Sequence, residues 1–354
     1  MRVGIVFHKN PFAEPTGIDL VRLRAIAGGL IKRGIQAEVL SPVSDEGTID
    51  DHVPVRKLDV LRESSRYDLI KTSYHYSMEL LQDYSGPVVS RIVRVVDDKL
   101  PERDDPFRKR LLECQELIRD RSSVLVLNNK ENSDRWQALY GDTPRIELIP
   151  TGCPVNIPDP CGNPFHGTRP VMLFLGSVAA PRMVRMINRA ASELASLCEV
   201  HLVGLNKACL YGGDDNCVLN PLVVDHGELP EQKIWDHIRH ASIGLALATG
   251  PHAFDNDVSK ILNYLRGGLP VLSEEPIINN ELVRRTGLGT TFAFDDAEDL
   301  AAKAEDLLRR DFRSKRKKVM EFMALEHSWD RRVEAYAALF RSLCGCKSEM
   351  QRFC

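Results

Sequence analysis

Long apolar runs are missing from this 354-residue chain. The longest, Val171–Gly176 and Ile243–Ala248, fall far short of the ~20 residues that a membrane-spanning helix needs. An excess of one charge is missing too. Lys and Arg total 47 against 50 Asp and Glu, a net charge of -3, so nothing global favours nucleic acid as a partner. Several specific motifs are absent: no Walker lysine loop, no G-x-S-x-G elbow, no H-E-x-x-H and no complete G-x-G-x-x-G after a strand. The first strand leads only to Gly17, which disfavours a standard dinucleotide fingerprint. Cysteine is present but unpatterned. The nine are odd in number and scattered, so buried free thiols are expected rather than a disulfide framework. Cys344-Gly345-Cys346 lacks a second ligand pair at zinc spacing. Met1–Phe7 holds one cation and breaks at His8-Lys9-Asn10, so it reads as a buried strand and not a signal peptide. The cytoplasm is then the expected location.

What is present is ordinary globular composition, 43% hydrophobic and 27% charged, which excludes a disordered or collagenous chain. At roughly 100–200 residues per domain, the length favours two domains. The first half repeats a short apolar run, a loop and a helical stretch. Arg2–Phe7 reads as a strand, Ile18–Arg33 as a helix closed by Gly34, and Gln36–Leu40 as the next strand. Tyr67–Lys71, Pro87–Val96, Ser122–Leu127 and Arg145–Ile149 continue the rhythm. A proline-dense stretch from Pro150 to Pro164 reads as an interdomain linker. The pattern then restarts with strands at Val171–Leu175, Glu199–Val203, Ile243–Ala248 and Pro270–Ser273. Helices are expected at Arg182–Leu197, Gln232–His240, Ser259–Arg266, Ala297–Arg310 and Ser328–Leu343. Strands alternating with helices predict α/β architecture, with parallel sheets covered on both faces. A ligand crevice belongs at the carboxyl ends of the strands.

Two strand ends in the second half carry chemistry. Leu175-Gly176-Ser177 puts a glycine and a hydroxyl where a strand yields to a helix, with Arg182 and Arg185 shortly after. Small residues admit a phosphate to the backbone, helix amides favour anions, and arginine forks onto phosphate oxygens. The plainer reading is a common α/β loop. More specific is the passage from Thr249 through Asp255 and Asp257 into a helix with Ser259, Lys260 and Asn263. Lys260 and Asn263 share a helical face, and a lysine near a helix start is electrostatically misplaced unless an anion compensates.

This segment resembles the donor-nucleotide motif of GT-B glycosyltransferases, in particular the large retaining family 4 type of bacterial polysaccharide and teichuronic-acid enzymes. Lys260-Ile261-Leu262-Asn263-Tyr264-Leu265 is similar to K-[LI]-x-E-Y-L, and Gly268-Leu269-Pro270-Val271 to G-x-P-V. Thr16-Gly17 to Gly34 resembles the first loop and helix. Asp97-Asp98, Leu112–Glu116 and Ser123–Leu127 resemble the D-D…E…A-D-x-V-x-V stretch. Ile149-Pro150-Thr151-Gly152 resembles the hinge I-P-N-G, and Ser328-Trp329-Asp330 the opening of the terminal helix. The collinear matches span nearly the whole chain.

The resemblance implies two Rossmann-like doubly wound domains facing across a cleft. These are an acceptor domain at 1–160, a nucleotide-sugar domain at 161–328, and a terminal helix and tail at 329–354 packing back on the first. It implies transfer of a hexosyl-type group from a nucleoside diphosphate sugar to an acceptor hydroxyl in polysaccharide or glycolipid assembly, with retention and without a metal or other cofactor. The family's paired acids align with Asp255 and Asn263. Asn263 is uncharged and accepts through one oxygen, which changes ribose binding. Arg182 and Lys260 represent the diphosphate cations, helped by amides near Gly176 and Ser177. The Gly227-Glu228-Leu229 turn matches the loop against the base. An inverting reaction would need a carboxylate base, with Asp97 or Asp98 in that place. The alternatives are a catalytically inactive relative that binds a nucleotide or glycan as a partner subunit, and a GT-B epimerase or phosphorylase.

Other features have plain readings. His75 fits a packed loop cluster better than a sugar contact. Trp136 and Trp235 read as core. The basic runs around Arg103–Arg110 and Arg309–Lys318 read as solvated faces. Their alternative is a peripheral contact with the anionic inner face of a membrane, at ~1 kcal/mol per cation.

Overall fold

The computed structural model describes residues 1–13, 18–63, 66–81, 84–97, 106–208, 217–252 and 258–350. Thr16, Gly17, Asp98, Arg103, Asp255 and Asp257 lie outside these residues. The chain packs as two units, Met1–Thr151 with Trp329–Cys354, and Gly152–Ser328.

The first unit runs β1 (Arg2–Val6), α1 (Ile18–Lys32), β2 (Gln36–Ser41), β3 (Gly47–Ile49), β4 (Val53–Lys57), β5 (Leu69–Thr72), β6 (Val88–Arg91), α2 (Pro106–Arg121), β7 (Val124–Leu127), α3 (Lys130–Tyr140) and β8 (Arg145–Leu148). Its sheet order is β3-β4-β2-β1-β5-β6-β7-β8. The ladders are parallel except for β3 against β4. Val3, Ile5 and Val6 of β1 are buried on both sheet faces, as a central parallel strand requires. Leu23, Ile26, Ala27 and Leu30 give α1 its buried stripe.

The second unit runs β9 (Val171–Leu175), α4 (Pro181–Glu193), β10 (Glu199–Val203), β11 (Val223–Asp225), α5 (Glu231–His240), β12 (Ile243–Ala246), α6 (Ser259–Arg266), β13 (Val271–Glu274), α7 (Asn280–Thr286), β14 (Gly289–Phe292), α8 (Ala297–Arg309) and α9 (Arg313–Glu326). Its sheet is wholly parallel in the order β11-β10-β9-β12-β13-β14. Both sheets are therefore doubly wound. Each reverses its strand order beside its first strand, at β1/β5 and at β9/β12.

The terminal helix α10 (Trp329–Met350) belongs to the first unit. Val333, Tyr336, Ala337 and Phe340 join the core built by β1, β2 and α1. Gly29 makes room for it, since a Cβ there would lie 2.7 Å from Val333.

The proline-dense stretch is held by the second unit. Cys153 is buried in that core and its amide donates to the His327 carbonyl at 2.9 Å. Arg266 donates to the Pro154 carbonyl at 3.0 Å, and Asp236 accepts from the Cys161 amide at 3.0 Å. Proline lacks a donor but keeps its carbonyl, so arginine can fix what a ladder cannot.

The strand expected over Pro87–Val96 ends at Arg91. Beyond it, Asn132 accepts from the Val95 amide at 2.8 Å and Gln115 from the Val96 amide at 2.7 Å, so carboxamides replace the ladder. Trp136 and Trp235 are buried, as are the free thiols Cys114, Cys153, Cys198 and Cys217, whereas the free thiol Cys161 is exposed. His75 is fully buried against Tyr74, with its imidazole lowered to about 3 chiefly by that burial. It packs as a loop-cluster residue.

Candidate functional site

The second unit ends three adjacent strands in glycine. Gly176 follows β9, Gly204 follows β10 and Gly227 lies two residues past β11, with φ of 98°, 139° and 62°. All three lie in the region that favours glycine. The Gly176 amide donates to the Val203 carbonyl and the Gly204 amide to the Gly227 carbonyl, each at 2.8 Å. A Cβ on Gly204 would sit 2.4 Å from the Gly176 carbonyl oxygen, which is backbone and cannot swing aside. A Cβ on Gly227 would meet nothing within 4 Å, and one on Gly176 would meet only Lys260. The strand ends thus form a floor without side chains. Ser177, just past Gly176, is exposed.

Helix α6 is set over the β9/β12 junction by Tyr264. Its buried hydroxyl meets the carbonyls of Leu173 at 3.0 Å and Leu245 at 3.2 Å, and accepts from the Leu175 amide at 2.8 Å. Gly244 leaves space for the ring, because a Cβ there would lie 2.5 Å from it. One turn earlier, the Lys260 ammonium lies 3.5 Å from the centre of the Phe174 ring, and its Cε lies 3.9 Å from a Cβ placed on Gly176. Burial lowers the Lys260 amine to about 7. Asn263 is half-buried, and its carboxamide has no hydrogen-bond partner among the described residues. Val258, which precedes Ser259, supplies no side-chain cap to the helix. Lys260, Asn263, Gly176 and Ser177 are thereby gathered at the carboxyl ends of β9 and β12.

Arg182 is placed at the same end of the sheet but is already occupied. Its guanidinium donates to the Ala248 carbonyl and to Glu274, reaches Asp295 at 3.4 Å, and stacks 4.4 Å from the Phe294 ring. Glu274, 0% exposed, also accepts from the Ala248 amide and the Asp295 amide, both at 2.8 Å. The pair clamps the segment leaving β12, so Arg182 holds the loop before α6. Where the family resemblance implies a diphosphate for Arg182, the structure shows a buried carboxylate beside it, a partner that lies 92 residues away in the chain.

The remaining candidates are dispersed. Gly227 donates its amide to Asp225 at 2.9 Å, and Leu229 packs partly buried on the core. Asp97 belongs to the first unit, where Arg135 holds it at 2.8 Å. Among the described residues, no group of three His, Cys, Asp or Glu side chains is arranged to hold a metal. In the basic run, Arg309, Arg310 and Arg313 pair with Glu305, Asp306 and Asp311. Among the described residues no helix is long and apolar enough to cross a membrane.

No protein-family model and no curated protein matches the sequence. Solved structures do match. Sucrose-phosphate synthase from Thermosynechococcus elongatus superposes with a TM-score of 0.75 at 14% identity, over 98% of this chain and 99% of that one. HepE of Anabaena, in complex with UDP-glucose, gives 0.71 at 15% identity, over 97% and 99%. WaaG, a glycosyltransferase involved in lipopolysaccharide biosynthesis, gives 0.64 at 15% identity, over 98% and 99%. The chain has the GT-B fold. At these identities the likeness is one of fold. Within the GT-B fold, Gly176 and Lys260 stand at the strand-order reversal of the second unit, where open α/β sheets bind ligands, and Gly204 and Gly227 continue the row to one side of it.

Proposed function

We propose that this chain is a glycosyltransferase whose Gly152–Ser328 unit holds a nucleoside diphosphate sugar. The observation that carries the reading is Lys260 beside Gly176, at the near end of a row of three strand-end glycines. A backbone open to close approach and one cation over an apolar ring suit a diphosphate better than a neutral ligand. The HepE neighbour was solved with UDP-glucose, which makes UDP-sugars the first donors to test.

In the proposed reaction, the bond between the anomeric carbon and the diphosphate oxygen breaks and the acceptor oxygen bonds to that carbon. The acceptor proton ends on the departing diphosphate. The chain's task is to stabilise that anion, and Lys260 with the Ser177 amide performs it without a metal. Asn263 meets the ribose through its open carboxamide, and Gly227 and Leu229 border the base. Arg182 acts as a positioning residue through Glu274. We assign retention at the anomeric carbon, and an acceptor hydroxyl on a glycan or glycolipid at the cytoplasmic face of a membrane.

A thermal-shift panel of nucleoside diphosphates and their sugars tests the donor site. Lys260→Ala should weaken the best binder by about 100-fold, the scale of a lost charge-assisted contact in a buried site. Because only protonated Lys260 attracts the anion, wild-type affinity should fall as pH rises from about 7 to about 9, and the variant should lose that slope. A variant that responds like wild type removes Lys260 from the site. Release of nucleoside diphosphate from the best-binding sugar nucleotide in the presence of acceptor extracts tests transfer itself.

A further inference from the structure

Three histidines from separate elements meet in the second unit. His201 lies on β10, His226 follows β11 and His237 belongs to α5. The His201 and His226 rings stack with centres 5.1 Å apart, and His226 meets His237 in a T-shaped contact at 4.7 Å. The Phe165 ring makes T-shaped contacts with His201 at 4.9 Å and with His237 at 5.2 Å. His201 and His237 are buried, whereas His226 is half-buried and gives protons a way in from solvent.

The partners fix where the protons sit. His201 Nε2 faces the Glu199 carboxylate, which only accepts, and so donates to it at 3.3 Å. The neutral ring then offers Nδ1 as an acceptor, and His226 Nε2 donates to it at 2.9 Å. His237 Nδ1 donates to the Lys233 carbonyl at 2.7 Å, which leaves its Nε2 bare and buried, with no hydrogen-bond partner. A proton added to His201 sets two N–H groups against each other unless His226 changes tautomer. One added to His237 buries an N–H that meets no acceptor among the described residues. The described charges acting on the cluster are Glu199 on β10, Asp225 on β11, and Lys233 and Asp236 on α5. Arg169 holds Glu199 from outside at 2.9 Å. Burial, more than any of these charges, lowers all three histidines, His226 to about 4. The cluster is also tied to the glycine row. The His226 amide donates to the Leu202 carbonyl at 2.9 Å, and the next residue, Gly227, accepts from the Gly204 amide at 2.8 Å.

We propose that His201, His226 and His237 form a proton switch that holds the Gly227 turn while neutral and releases it when protonated. The closed cluster takes protons at lower pH than a free histidine, whose value is about 6.5. The released turn therefore binds more protons and gains weight as pH falls from about 6.5 toward about 4. The transferase reading, on which the functional consequence rests, puts Gly227 beside the nucleotide base. Release of the turn then lowers donor affinity in acid.

The test reads hydrogen exchange of segments 202–205 and 223–229 in the full chain, as protection relative to free-peptide rates, from about pH 7 to about pH 5. UDP-glucose affinity is measured by calorimetry over the same range, in which the sugar nucleotide itself does not titrate. Wild-type protection should fall at least about tenfold, and UDP-glucose should bind at least about tenfold more weakly at the acid end. Lys260 gains its proton over this range and then favours the anion, so its effect has the opposite sign. His226→Gln keeps an N–H for His201 but does not titrate, so both slopes should flatten. Glu199→Gln removes the carboxylate that meets His201 and should shift both falls to lower pH. Wild-type protection that stays flat, or a wild-type slope retained in both variants, overturns the switch. Protection that falls while UDP-glucose binds as before overturns its coupling to the nucleotide. Failure of UDP-glucose to bind at any pH counts against the donor reading alone, because exchange decides the switch without a ligand.

Discussion

The two units share a strand-order reversal beside the first strand and furnish it oppositely. In the second, β9 ends at the reversal in Gly176 with Lys260 over the Phe174 ring, and the neighbouring β10 and β11 also end near glycine, so main chain without side chains lines this edge. In the first, β1 runs into Phe7-His8-Lys9 and β5 into Thr72-Ser73-Tyr74, where the rings of His8 and Tyr74 stack at 5.4 Å beside buried cations. One kind of reversal thus carries bare main chain in one unit and packed polar side chains in the other. Topology says where a ligand goes, and the residues just past each strand decide what it is.

The largest effect should come from a methyl group. Gly204→Ala places a Cβ against the Gly176 carbonyl at 2.4 Å, in a backbone conformation alanine resists. We expect the second unit to lose about 3 kcal/mol or more, together with nucleotide binding. Gly4→Ala on β1 meets the tip of Ile70, also at 2.4 Å, but that side chain can turn away. Its effect should stay near 1 kcal/mol or slightly above. Hydrogen exchange, read separately in each unit against denaturant, distinguishes them. Equal losses would break the contrast between main-chain and side-chain sites.

Next is Glu274→Gln, which strands Arg182 beside a neutral amide. Loss of one partner from a buried ion pair should destabilise the second unit by about 3 kcal/mol and loosen the loop before α6. A loss under about 1 kcal/mol would show Arg182 to be less committed to Glu274 than its geometry implies.

The smallest effect has the opposite sign. Lys71→Met removes a buried amine that no described carboxylate neutralises, so the first unit should gain about 1 kcal/mol. Sign follows from proton counting. The folded Lys71 gives up its proton at lower pH than the unfolded one, so between those values the unfolded chain binds more protons and stability rises with pH. The variant should lack this rise in chemical-denaturation curves taken from neutral to alkaline pH. Destabilisation by Lys71→Met would mark the lysine as a structural partner of the elements that bury it.

Much of the fold is legible along the chain because buried parallel strands read as continuous apolar runs. Val171–Leu175 and Ile243–Ala246 announce themselves this way, and the helix Ser259–Arg266 does so by its helical period. Short edge strands do not. β11 exposes two of its three residues and β14 leaves three of its four half-buried, so neither alternation nor an apolar run marks them. Helix α9 hides behind its basic run, since only Val319 and Met323 are fully turned inward. In the site, Gly176, Lys260 and Asn263 could be read from spacing. Gly204 could not, because a glycine after a strand is common and its necessity lies in a carbonyl 28 residues earlier. The only signal available was that three strands in a row end near glycine.

The order of residues alone was enough for two α/β units and for the helix that carries Lys260, because hydrophobic period and glycine position are local properties of a chain. Whether Arg182 faces a ligand or a buried Glu274, and whether Lys71 meets a carboxylate or two arginines, was settled only when distant strands came side by side. Charge acts through space and burial, and neither is defined until the sheet has formed.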